Sequence, residues 1–322
     1  MRLRAPLPLS RRQLLGGAAA CLIAPLCPAR AADRRYDLAP VEVGPGVWMI
    51  EGAREVFSRQ NGGAIVNIAL LETPDGAVVI DTGSTGGMGA AIREFADQRL
   101  GGVAMVLNTH HHPDHWFGNA AFEDCRLLAP APSIAACTQY GGDFAASLYA
   151  ILGSWMSGTK PLPAREPTVD GPLEVAGRKL TLRQMAGHTQ ADLVVIDQTS
   201  GILIAGDMLF LDRAPSFPDA NYDLWLSGLD QLASLAPSGT IPGHGPFHRD
   251  NAALAQTRAY LMATRARLDL AAQSGLTRIE AMSAGPVPEF AHLGANPEEY
   301  LRTVVQRWPD HETAALPVIG GI

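Results

Sequence analysis

Two β-sheets packed face to face, with helices outside them and more helices toward the C-terminal end, is the α/β architecture that this 322-residue chain predicts. Three observations lead there. Short apolar runs recur between Gly, Pro and Asp turns, as expected of consecutive strands. Helix-forming stretches follow the strands in each half of the chain. Hydrophobic residues make up 47% of the total, with Gly and Pro spread throughout, which suits one large core in a single domain over residues 33–322.

Residues 47–51, 65–72 and 77–81 read as strands. A Gly-rich turn at 83–89 precedes a helix over 90–98, where Ile92 and Phe95 have helical spacing. The fully apolar run 103–107 then leads directly into Asn108-Thr109-His110. Strands follow at 173–175 and 180–185, and 193–196 with 202–205 form a hairpin about Thr199-Ser200-Gly201. Next come a helix over about 222–235, a short strand at 240–242, a helix over 251–273, and helical structure in the rest, including 297–308. Residues 139–160 carry Tyr140, Phe144, Tyr149, Trp155 and Met156 without clean periodicity, so substrate-facing and core-packing roles both stand.

Residues 1–32 differ from everything after them. Basic residues and Ser10-Arg11-Arg12-Gln13-Leu14-Leu15 precede an Ala-rich apolar run ending in Ala29-Arg30-Ala31, the pattern of a twin-arginine signal peptide with a small-residue cleavage site. A membrane anchor needs about 20 uninterrupted apolar residues, and Pro25 and Pro28 interrupt this shorter run. The expectation is cleavage, export to the periplasm and no stable membrane anchor afterwards.

This segment holds five Arg and no acid, so its removal leaves 20 basic against 32 acidic residues, a net charge of −12. Such a surface repels phosphate backbones, and no Lys/Arg-rich stripe offsets it, which excludes nucleic acid and leaves a small molecule as the expected partner. Oligomeric state is not readable from these features. Cys125 and Cys137 match no zinc-knuckle spacing, and both a disulfide and buried free thiols remain open for them.

Thr109-His110-His111-His112-Pro113-Asp114-His115 contains His-x-His-x-Asp-His at the exit of an apolar strand. Alternate side chains of an extended segment share a face, so His110 and His112 suit one metal ion while His111 looks elsewhere. Pro113 turns the chain, which lets Asp114 and His115 meet a second ion. Zinc takes imidazole nitrogen and carboxylate oxygen at about 2.0–2.2 Å, and a catalytic site draws its ligands from several segments. His188 in Ala186-Gly187-His188-Thr189, Asp207 after Gly206, and His244 in Pro242-Gly243-His244-Gly245 stand just past predicted strands and complete such a set. His111 and His248 fall outside the pattern and read as ordinary core or surface residues.

These five motifs, in this order over about residues 41–245, resemble the metallo-β-lactamase superfamily. The resemblance implies a four-layer αββα sandwich with a C-terminal helical extension and a site at one sheet edge. It implies two Zn2+ per chain: one on His110, His112 and His188, the other on Asp114, His115 and His244, with Asp207 bridging both. Asp81 matches an acid that such proteins often place beneath the metal loop, although a plain turn-former fits it equally well.

The implied chemistry is hydrolysis of a small ester, thioester or lactone by a metal-bridging hydroxide, with Asp114 orienting it or accepting protons. True β-lactamases of the superfamily generally lack a carboxylate at the Asp207 position, whereas glyoxalase-II-like hydrolases have one, so β-lactamase activity is disfavoured. A mononuclear iron persulfide dioxygenase and a non-enzymatic metal-binding accessory protein are the other readings, separable by metal identity and oxygen uptake. Asn61-Gly62-Gly63, Trp116-Phe117-Gly118-Asn119, Ala205-Gly206-Asp207-Met208-Leu209-Phe210 and Pro242-Gly243-His244-Gly245-Pro246 are similar to the quinoprotein-associated periplasmic zinc metallohydrolases. That likeness implies a link to a quinoprotein system.

Overall fold

The computed structural model describes residues 35–316, so the expected signal segment 1–32 lies outside the described residues. The first sheet runs β1 (Val41–Gly44), β2 (Val47–Ile50), β3 (Ile68–Leu71), β4 (Ala77–Ile80), β5 (Val103–Leu107), β6 (Arg126–Ala129) and β7 (Glu166–Pro167), in that spatial order. It is antiparallel from β1 to β4 and parallel from β4 to β7. Helix α1 (Gly86–Arg99) makes the crossover from β4 to β5, and its first turn is capped by Thr85, whose Oγ1 accepts from Met88 N at 3.0 Å.

The single turn α2 (Pro113–Trp116) follows β5, and the long α3 (Ala131–Leu152) follows β6. The second sheet comprises β8 (Gly171–Val175), β9 (Arg178–Met185), β10 (Asp192–Asp197), β11 (Ile202–Ile204) and β12 (Gly239–Ile241), in the order β12-β11-β10-β9-β8. Helix α4 (Tyr222–Ala233) connects β11 to its parallel neighbour β12. Helices α5 (Ala252–Gln273), α6 (Arg278–Ser283) and α7 (Glu298–Ala315) complete the described chain. None of the described helices is long and apolar enough to cross a membrane.

Strand periodicity of two explains the layering. Val78, Ile80, Met105 and Leu107 of the first sheet share one core cluster with Leu180, Leu182, Leu193 and Val195 of the second. Their alternates face outward. Ala77, Val79 and Val106 pack on Met88, Ile92 and Ala96 of α1, while Val194 and Leu203 pack on Trp225, Leu229 and Tyr260 of α4 and α5. The result is the helix-sheet-sheet-helix sandwich that the sequence predicts. The C-terminal extension has a cluster of its own, with Leu268, Ala281, Tyr300, Val304 and Trp308 joining α5, α6 and α7.

The predicted helix at 90–98 begins earlier, at Gly86, because the Gly-rich turn is itself the first helical turn. Residues 139–160 are mostly regular: α3 runs to Leu152 and a 3-10 turn occupies Gly153–Met156. Gly141 and Gly142 interrupt the apolar pattern of α3, and Gly141 is needed because a Cβ there would meet the Trp116 ring at 2.9 Å. Cys125 and Cys137 are unpaired.

The two sheets are also tied by Arg178, which stands in a buried ion pair within the second sheet. Arg178 donates to both carboxylate oxygens of Asp197 at 3.0 and 2.7 Å, and to the carbonyls of Pro45, Gly46 and Glu72 in the first sheet. Burial works against the charge on Asp197, but Arg178 and Ser200 outweigh it and hold the carboxyl below its usual value. This contribution to stability is present above the ordinary carboxyl pKa and is lost as pH falls through the lowered folded value. Arg178→Ala, which leaves Asp197 buried without its partner, is expected to cost about 3–5 kcal/mol in urea unfolding at neutral pH. The gap to the parent protein should narrow as the pH of the titration is lowered.

Candidate metal centre

Each side chain of the metal-binding pattern stands just past the C-terminal end of a strand. His110, His112, Asp114 and His115 follow β5 in the first sheet, whereas His188, Asp207 and His244 follow β9, β11 and β12 in the second. All seven are buried. They converge where the two sheets meet at one edge, and each of the two resulting clusters draws on both sheets.

In the first cluster, His112 Nδ1 lies 3.0 Å from His110 Nε2 and 2.9 Å from His188 Nε2, and His188 Nε2 lies 3.2 Å from Asp207 Oδ2. In the second, Asp114 Oδ2 lies 3.7 Å from His115 Nε2 and 3.4 Å from His244 Nε2. Asp207 Oδ1 approaches the same two imidazoles at 3.3 and 3.4 Å. The carboxylate of Asp207 is thus divided, one oxygen toward each cluster. Ligands at about 2.1 Å around a tetrahedral ion are about 3.4 Å apart, which is the scale of these separations.

Proton positions, inferred from the outer partners, show that the donors fit a metal. Thr109 Oγ1 donates to Asp81 Oδ2 at 2.8 Å, so it accepts from His110 Nδ1 at 3.0 Å. His115 Nδ1 donates to Asp81 Oδ2 at 2.7 Å, His244 Nδ1 to the carbonyl of Ile65 at 2.6 Å, and His112 Nε2 to Asp219 Oδ2 at 3.0 Å. Four rings therefore keep a proton on the outer nitrogen and turn the other nitrogen inward, the orientation of a metal ligand. His115 Nε2 and Asp207 Oδ1 are buried without any hydrogen bond. Lone pairs converging on one another are repulsive unless a cation stands between them.

The electrostatics agree. Burial, reinforced for His110 by the neighbouring imidazoles, holds His110 and His188 well below the usual histidine pKa, so both are neutral and able to donate lone pairs. Burial also opposes a charge on His115, but Asp81, Asp207 and Asp114 outweigh it and hold its pKa well above the usual value. The surrounding carboxylates thus demand positive charge at this point. A divalent ion meets that demand and satisfies the lone pairs as well.

The loops are held by a polar frame. Asp81, at φ 63°, accepts from Thr109 N at 2.8 Å besides its two contacts described above, so it braces the metal loop rather than merely turning the chain. Asn67 accepts from Gly52 N and donates to the carbonyls of Pro242 and Gly245, fixing the loop that carries His244. Gly243 passes so close to Asp207 that a Cβ there would collide with Oδ1.

Two residues depart from the sequence reading. His111 does turn away from His110 and His112, yet it belongs to the site: its Nε2 meets Asp219 Oδ2 at 3.2 Å and its ring stacks on Phe144. Asp219, unforeseen in the sequence, joins His111 to His112, and these hydrogen bonds hold its carboxyl well below the usual range against the effect of burial. It sits in a Pro-rich loop with neither a strand end nor a telling spacing to mark it. His248 is half-buried, and its backbone pairs with Thr240, as an ordinary structural residue would.

A cavity of about 420 Å3 opens onto the clusters, with His112, Asp114, Asp207 and His244 in its wall. Phe144, Leu148 and Ile151 of α3 line another part, so this helix serves both roles considered for it, since Leu148 and Leu152 also pack in a core cluster.

The fold and the two histidine-carboxylate clusters define a metal-binding αββα protein, and the sequence matches the Metallo-beta-lactamase superfamily over residues 61–244. The chain belongs to that superfamily, whose members are usually hydrolases. A hydroxyacylglutathione hydrolase of Synechococcus sp. (strain JA-3-3Ab) is 30% identical over 133 residues, 41% of this chain and 45% of that protein. The chain therefore matches less than half the length of this curated relative. Among solved structures, a beta-lactamase domain protein from Burkholderia ambifaria aligns with TM-score 0.63 at 23% identity, covering 87% of this chain and 88% of its own. A metallo-beta-lactamase from Pontibacter korlensis aligns at 0.57 and 19% identity, covering 70% of this chain and 99% of its own. These structural likenesses concern the fold alone.

Asp219→Ala is expected to weaken metal binding by about 10–100-fold in competition with a chromophoric chelator, because His112 loses the acceptor that orients it. Asp219→Asn, which keeps an acceptor oxygen, should recover part of the loss. Gly243→Ala is expected to displace Asp207 and lower metal content per chain by elemental analysis while the circular dichroism spectrum stays unchanged.

Proposed function

We propose that this chain is an exported hydrolase that binds two zinc ions and cleaves a small ester, thioester or lactone. The observation that carries the reading is the division of Asp207 between the clusters, with Oδ2 beside His188 and Oδ1 beside His115 and His244. His110, His112 and His188 would hold one ion, Asp114, His115 and His244 the other, and Asp207 both. Zinc held this way would act as a Lewis acid, bringing the pKa of a coordinated water toward neutrality and polarising a carbonyl oxygen.

The rest of the chemistry falls to the chain. Asp114 lines the cavity and turns Oδ2 toward His115 and His244. Its Oδ1 would orient the attacking water and accept its proton, then return it to the leaving alkoxide or thiolate. Phe144, Leu148 and Ile151 would exclude bulk water from the acyl group. The resemblance to a hydroxyacylglutathione hydrolase favours an ester or thioester over a lactam. Export rests on the twin-arginine pattern of residues 1–32, and a quinoprotein partner system on the resemblance of the loop motifs alone.

The test is to purify the mature chain, determine zinc and iron per polypeptide, and assay a thioester, a lactone and a chromogenic cephalosporin. Two zincs are expected, with hydrolysis of the thioester or lactone that falls on the order of 100-fold or more in Asp207→Ala. One iron per chain with oxygen uptake would overturn the reading, as would zinc binding without turnover of any substrate in the panel.

A further inference from the structure

The cavity wall away from the histidines has a different chemistry. Arg213, from the loop after β11, and Glu299, Arg302 and Gln306, all from α7, line it. The C-terminal extension therefore reaches the cavity onto which the metal clusters open. Glu299 Oε1 accepts from Arg213 Nη2 at 3.2 Å and from Arg302 Nη1 at 3.3 Å. One carboxylate thus holds two guanidinium groups, and the trio keeps a net positive charge.

Arg213 and Glu299 are 3% and 1% exposed, yet Arg213 Nε and Glu299 Oε2 make no hydrogen bond. Unpaired buried atoms of charged groups are costly, which makes this trio a poor device for stability alone. Arg302 differs from its partners: it lines the cavity, its side chain is 41% exposed and only Nη1 is engaged, so Nε and Nη2 are left free to donate. The acids of the cavity wall other than Glu299, namely Asp114, Asp207 and Asp219, stand among the imidazoles. A chain of net charge −7 thus sets a cationic wall in the cavity of its metal clusters.

We infer that Arg302, braced by Glu299 and Arg213, binds a carboxylate of the substrate, so that the ester, thioester or lactone cleaved here also carries a free carboxylate. The free guanidinium edge presents two N–H donors in the fork geometry that a planar carboxylate accepts. Glu299 holds Nη1 and leaves the other edge of the guanidinium unengaged. Phe144, Leu148 and Ile151 supply the apolar wall, so the substrate has a hydrophobic body between its scissile carbonyl and its carboxylate. The inference rests on the proposed hydrolysis only for the bond that is broken; the carboxylate subsite stands on α7.

The test pairs a binding and a kinetic measurement on the mature chain. Glutarate binding to chelator-treated protein is measured by calorimetry, and kcat/KM is compared for a glutarate monoester of a chromogenic phenol and its neutral butyrate counterpart. The expected results are detectable glutarate binding in the metal-free protein, at least a tenfold preference for the charged ester, and loss of both in Arg302→Gln. Arg302→Lys should restore part of each, and the preference should fall as salt is raised. Equal rates for the two esters, or glutarate binding that Arg302→Gln leaves intact, would overturn the subsite. If neither ester is cleaved, the hydrolase reading fails, while the calorimetric arm still decides the subsite.

Discussion

The carboxylate of Asp207 is the interaction on which the rest of the site depends. It is buried, it belongs to neither histidine cluster alone, and its two oxygens face imidazoles from both sheets. A carboxylate so placed would be prohibitively costly in an apolar interior. His244, His115 and His188 overcome the effect of burial and hold it well below the usual carboxyl pKa, so it remains an anion. The glycine at 243 is then a geometric necessity, since any side chain would occupy the space of Asp207 Oδ1.

Around this anion the chain has arranged partners that point protons outward and lone pairs inward. Asp81, Thr109, Asp219 and the carbonyl of Ile65 each accept from an imidazole nitrogen on its far side. Asp81 acts within the first sheet, between the loops after β4 and β5. Asn67 ties the first sheet to the loop after β12 in the second. The frame therefore fixes the relative position of the two sheets at the edge where the clusters form, while Arg178 ties them elsewhere through the carbonyls of Pro45, Gly46 and Glu72.

The strands and the loops that carry the two clusters do not close the cavity by themselves. Helix α3 brings an apolar wall and α7 a charged one, and both come from parts of the chain whose sequence lacks a metal-binding motif. This division suits a scaffold in which the chemistry is carried by short loops and the choice of substrate by the helices packed over them.

The seven residues of the two clusters were legible as a group because each is a chemically specific side chain at the exit of an apolar run, and such local grammar needs no knowledge of distant contacts. The face-to-face sheets were equally legible, since a period of two in strands such as 77–80 and 193–196 declares which residues point inward. Helix α3 was obscured by Gly141 and Gly142, and the presence of Gly141 reflects packing against Trp116 rather than local propensity. Asp219, His111, Glu299 and Arg302 were invisible for a deeper reason. The contacts of Asp219, His111 and Glu299 span 86 to 108 positions of chain, and only the tertiary structure, by bringing the loop after β11 and the helix α7 to the cavity onto which the clusters open, decided what these residues and Arg302 stand beside.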